Sequence, residues 1–73
     1  MSEIKVDVRG ETCPIPLVEM RKALRKAEGG DIIEIIGTHP ASEKEIPMAA
    51  DALAVKIISN EHIGNEWKIV LQK

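Results

Sequence analysis

The chain carries a single cysteine, and Cys13 sits in the run Cys13-Pro14-Ile15-Pro16 directly ahead of a segment with helical periodicity. A lone thiol cannot close an internal disulfide, so its chemistry must involve another molecule. The proline that follows presets the dihedral of a first helical position, which casts Cys13 as the N-cap and Pro14 as the next residue. The positive end of a helix dipole and the unpaired amides of a first turn favour a thiolate over a thiol. A stabilisation of roughly 2 kcal/mol raises the thiolate fraction at neutral pH about tenfold or more. Pro14 and Pro16 each delete an amide donor, leaving the Cys13 and Ile15 N–H groups to solvate the sulfur. Pro16 also disfavours helical dihedrals at Ile15, so an irregular but rigid first turn is expected. Just upstream, Arg9 offers a cation and Gly10 a tight turn beside the thiol. The competing expectation is a cysteine used as a small buried hydrophobe. Such a residue needs neither proline, and the junction of loop and helix favours an exposed nucleophile.

Other reactive side chains form weaker constellations. Cys13, His39 and His62 are the nearest approach to a zinc ligand set, but no two have the close spacing of a known site, and no metal or other cofactor is expected. Arg21, Lys22, Arg25 and Lys26 put four cations on the helix that follows Cys13. They read either as an ordinary solvated face or as a docking surface that steers an acidic protein. The chain lacks Phe and Tyr and has formal net charge −2. Direct RNA binding is therefore disfavoured, and RNA contact is expected only through a partner.

These residues must be positioned by a small scaffold. At 73 residues the chain is a single domain, 1–73, whose core must be aliphatic, with Trp67 its only aromatic contributor. No run of apolar residues is long enough for a membrane span, and Met1 to Lys5 lack a signal-peptide core, so a cytoplasmic monomer is expected. Ile4, Val6 and Val8 alternate with Lys5, Asp7 and Arg9 as in a strand with one buried face, and Gly10 ends it. Leu17, Met20, Leu24 and Ala27 fall at helical spacing and predict a helix from Pro14 to a left-handed cap at Gly29-Gly30. Ile32, Ile33, Ile35 and Ile36 around Glu34 predict an interior strand, parallel to the first.

After the break at Gly37-Thr38-His39-Pro40, Ser42 and Glu45 have capping-box spacing, and Ala49, Ala50 and Leu53 continue a second helix that Pro47 should kink or split. Either Pro40 or Pro47 could occupy its first turn. Val55 and Ile57, then Trp67, Ile69 and Leu71, predict two strands joined through Ile63-Gly64-Asn65 as an antiparallel hairpin. The order β-α-β-α-β-β implies an α/β (α+β) two-layer sandwich, with a mixed four-stranded sheet and both helices on one face. The pattern leaves the order of strands across the sheet open.

The segment from Asp7 to Pro16 resembles the signature of the TusA/SirA-like sulfur-carrier family, Asp-x-Arg-Gly followed by Cys-Pro-x-Pro. Arg21-Lys22-Ala23-Leu24, Gly30, Pro40-Ala41 and Glu45-Ile46-Pro47 are similar to later family positions, and the resemblance extends over essentially the whole chain. It implies the same sandwich and a sulfurtransferase-type role, with sulfane sulfur carried as a persulfide on Cys13. Pro14 and Pro16 would fix its presentation, and Arg9 and Gly10 would support it. The donor would be a cysteine desulfurase or rhodanese-like protein, and the acceptor a second protein. The chain departs from the family at His39, where Asp commonly precedes the proline, and at Ala52-Leu53-Ala54, which lacks a Gly-His pair. Both departures bear on the choice of partner. Other classes weighed were a regulatory or nucleic-acid/protein-binding module that ignores Cys13, and a thiol redox protein, disfavoured because no resolving cysteine is present.

Overall fold

The computed structural model describes residues 3–12 and 14–73; Met1, Ser2 and Cys13 lie outside them. The elements run β1 (Glu3–Val8), α1 (Ile15–Lys26), β2 (Ile32–Gly37), α2 (Pro40–Ala52), β3 (Lys56–Ile63) and β4 (Glu66–Gln72). The sheet order is β1-β2-β4-β3, with β1 parallel to β2 and the remaining neighbours antiparallel. The expected element order and the mixed four-stranded sheet are therefore both present.

Register decides which face is buried. Val6, Ile35 and Ile69 stand side by side across β1, β2 and β4, as do Ile4, Ile33 and Leu71 one repeat away. Both helices pack on this face and against each other. α1 contributes Met20, Ala23 and Leu24, and α2 contributes Ile46 and Ala50, at the three- and four-residue spacings that keep one helical stripe inward. Each fully buried Ile or Leu contributes about 1.5–3 kcal/mol, and Ile33, Ile35, Ile46, Ile69 and Leu71 are wholly buried. At the end of the sheet Gly37 lies opposite Trp67. A Cβ at Gly37 would overlap the indole, so the absence of a side chain there is what admits the ring. Among the described residues, no helix is long and apolar enough to cross a membrane.

Several local expectations are corrected. α1 ends at Lys26 instead of continuing to Gly29-Gly30, with Ala27 extended and buried as its C-cap. The last carbonyls need no left-handed cap, because the Lys73 ammonium donates to the Leu24 and Ala27 oxygens at 2.7 and 2.8 Å. α2 starts at Pro40, with His39 as N-cap, and the Ser42–Glu45 capping box does not form. Proline's preset dihedral starts the helix earlier, and Ser42 is buried with its hydroxyl 2.9 Å from His39 Nδ1. The helix continues through Pro47 as one element. Leu53, expected to continue this helix, is its exposed C-cap. The hairpin forms, but β3 extends to Ile63 and shifts register between Ile57 and Ser59, which interrupts the simple alternation there.

Candidate functional site

The parallel pair β1 and β2 sends both following loops, and hence the N-termini of α1 and α2, to one edge of the sheet. That edge, beyond the carboxyl ends of parallel strands, is the usual location of function in α/β sheets. Three loop segments meet there, namely Arg9 to Thr12, Thr38-His39, and the hairpin end that precedes Trp67.

Val8 to Glu11 form a tight turn closed by the Glu11 N–H donating to the Val8 oxygen at 3.1 Å, with Gly10 at φ +82° in its third position. A side chain there would be strained, so the Arg9-Gly10 pair has a conformational reason. The Gly10 N–H donates to Thr38 Oγ1 at 2.9 Å, stitching the β1–α1 loop to the β2–α2 loop. The indole N–H of Trp67 donates to the His39 carbonyl at 2.9 Å and ties the second loop to β4. Thr38 and Trp67 are thus the positioning groups that sequence reasoning missed. Trp67 was read as core or, at an edge, as a contact surface, not as a donor to a loop, and a threonine next to a glycine carries no signal of its own.

Arg9 forks onto Asp7, with Nε and Nη2 at 3.0 and 2.8 Å from the two carboxylate oxygens, and its backbone N–H donates to the same group at 3.1 Å. Its Nη1 lies 3.7 Å from Glu66. The side-chain and backbone bonds from Arg9 pull the Asp7 carboxyl down to about 2, and the paired carboxylates hold the guanidinium above its ordinary range. By register Asp7 and Glu66 belong to the sheet face away from the helices, so the positive charge of Arg9 is already matched there.

Cys13, expected as the N-cap, lies outside the described residues; its neighbours Thr12 and Pro14 are both exposed. The N-cap of α1 is Pro14, one residue later than expected, and Pro16 is buried in the first turn. α1 begins at Ile15 despite the proline after it. The Ile15 N–H donates to the Thr12 carbonyl at 2.9 Å, so this amide is already spent and is not a spare donor for an anion. The two prolines still leave a first turn with few ways to move.

The four cations are all exposed but fall into two stripes. Arg21 and Arg25 border a groove of about 480 Å³ with Leu24 and Leu53, while Lys22 and Lys26 border one of about 530 Å³ alongside β1. Lys22 also pairs with Glu19 at 3.4 Å. His39 and His62 are not brought into a ligand cluster. His39 faces Ser42, His62 Nδ1 lies 2.9 Å from Glu43, and the described residues contain no group of three metal-ligating side chains. Glu43 holds the His62 imidazole above its ordinary pKa, first by the hydrogen bond and then by charge.

Comparison with known proteins gives one consistent picture. Residues 4–73 match the family described as Sulfurtransferase TusA. The chain is 38% identical over 68 residues to a candidate sulfur carrier protein of Thermotoga maritima, covering 92% of this chain and 86% of that protein. It is 23% identical to the sulfur carrier protein TusA of Allochromatium vinosum, over 94% and 91% of the two chains. The solved structure of a SirA-like protein from Desulfitobacterium hafniense superposes with a TM-score of 0.77 at 20% identity, covering 99% of this chain and 96% of that one, which is a likeness of fold.

Proposed function

Because the chain belongs to the TusA family of sulfur carriers, we propose that Cys13 is the atom-bearing residue of the relay. Its thiolate attacks the outer sulfur of a donor persulfide, the donor S–S bond breaks, and the donor leaves as a thiolate while Cys13 becomes the persulfide. An acceptor thiolate repeats the exchange, and neither step has a net oxidant or a cofactor. The observation that supports this reading most directly is the built edge of the sheet. Two cross-linked loops, a glycine turn and a proline-bounded helix start lie at this edge, and Thr12 and Pro14, the described chain neighbours of Cys13, are exposed.

Within this reading Pro14 and Pro16 restrict the first turn, and Arg9 acts as a positioning residue by holding Asp7 and the turn, since its charge is engaged by carboxylates. Arg21, Arg25, Lys22 and Lys26 supply the encounter surface for acidic partner proteins, a donor of the desulfurase or rhodanese type and an acceptor. A cytoplasmic, reducing location suits a thiol that must stay free.

Incubation with a small-molecule or protein persulfide donor, followed by intact mass, tests the proposal. The expected result is an increment of one sulfur, located at Cys13, removed by reductant and absent from Cys13→Ser. No increment with any donor, or an increment that survives Cys13→Ser, overturns it. Reversing both Arg21 and Arg25 to Glu is expected to slow loading from a protein donor about tenfold or more at low salt, with the difference shrinking as salt rises. Loading by a small-molecule persulfide should not change.

A further inference from the structure

The two edges of the sheet are built differently. β3 carries a register shift between Ile57 and Ser59, an irregularity that spoils an edge for further pairing. β1 runs in unbroken register with β2 from Glu3 to Val8 and, among the described residues, has no strand on its other side. Side chains from both of its faces, Val6 and Val8 on one and Lys5 and Asp7 on the other, border the same groove, which therefore opens onto the strand edge itself. Backbone donors and acceptors on that side are left for an incoming strand.

The side chains of β1 specify which strand. Away from the helices β1 reads Glu3, Lys5, Asp7, with signs alternating, and on the helix side it reads Ile4, Val6, Val8. Laid antiparallel to itself about Val6, the strand is self-complementary: Lys5 meets Asp7 and Ile4 meets Val8 of the second copy. A slip of two residues sets Lys5 against Lys5 or Asp7 against Asp7. A slip of one residue puts the helices of the two copies on opposite faces. Glu3 and Lys5 have no ion-pair partner among the described residues. We propose that β1 pairs antiparallel with β1 of a second copy of this chain about a two-fold axis at Val6, joining two four-stranded sheets into one. The carboxyl ends of the two β1 strands then point in opposite directions, so the two candidate sites face apart and Arg21 and Arg25 stay approachable, while Lys22 and Lys26 border the seam.

Sedimentation of the full chain from micromolar to millimolar concentration tests this at low and high salt. A monomer–dimer equilibrium is expected that weakens as salt rises. Lys5→Asp alone and Asp7→Lys alone should each raise the dissociation constant about tenfold or more, because each places like charges opposite one another twice. Mixing the two variants should restore dimers, since Asp at position 5 then faces Lys at position 7. Circular dichroism checks that each variant folds. Independently of any substitution, the amides of Ile4 to Val8 should gain exchange protection as the concentration of the unaltered chain rises. A chain that stays monomeric at millimolar concentration, a dimer indifferent to both reversals, failure of folded variants to pair when mixed, or β1 amides whose protection ignores concentration would each overturn the proposal.

Discussion

At Arg9 and His62 charge is placed so that its effect on the fold can be titrated. The Asp7 carboxyl is held at about 2, below its ordinary 3.8, by the Arg9 fork. A lowered acid stabilises the fold above its ordinary value, and the contribution is lost as pH falls from about 4 toward 2. His62 has the opposite sign. Raised above 6.5 by Glu43, it contributes fully below that value and loses the contribution as pH rises past its folded pKa. An NMR titration of the His62 ring should therefore give a midpoint above 6.5, and His62→Gln should abolish the loosening of the α2–β3 contact at alkaline pH seen by amide exchange. Neither pair was legible in the sequence, since Glu43 and His62 are 19 residues apart and meet only through the fold. Arg9 and Asp7 were both singled out in the sequence, as parts of the Asp-x-Arg-Gly signature, but the fork that joins them has no sequence signal of its own.

Among the elements, helix ends were the hardest part to read. The run to Gly29-Gly30 looked like a left-handed cap, yet the cap of that kind belongs to α2 and falls on an alanine. The Val55 N–H reaches the Ala50 oxygen at 2.8 Å and the Ala54 N–H reaches the Asp51 oxygen at 3.1 Å, the paired bonds of a Schellman motif, with Ala54 at φ +58°. An L side chain in that conformation costs about 1 kcal/mol, so Ala54→Gly should stabilise the fold by roughly 0.5–1 kcal/mol in urea denaturation. Gly37→Ala should do the reverse and cost about 1–3 kcal/mol or more, because the new methyl group would displace the Trp67 ring from its place on the sheet. Tryptophan fluorescence reads both the unfolding and the displacement. The strands were more legible than the helix ends, because a two-residue period survives in β1, β2 and β4, whereas competing signals at Pro40, Ser42 and Pro47 could be weighed correctly only once Ser42 was seen to be buried.

Over the whole molecule, the β-α-β start and the closing hairpin followed from periodicity and turn chemistry, and so did the parallel pairing of β1 with β2. The strand order did not, because a hairpin can present either of its strands to β2 with the same turn. Burial resolves it: β4 alternates Trp67, Ile69 and Leu71 inward without a break, while β3 is almost wholly exposed, so the more apolar strand takes the interior place. The β4 strand thus enters between two elements made before it. A nascent chain emerging from the ribosome has neither a partner for the far side of β2 nor the indole that seals the loops, and must wait for its closing strand before it holds any stable shape. Folding of this unit therefore waits on the emergence of β4, and a ribosome stalled ahead of Trp67 should display a chain that proteases cut freely.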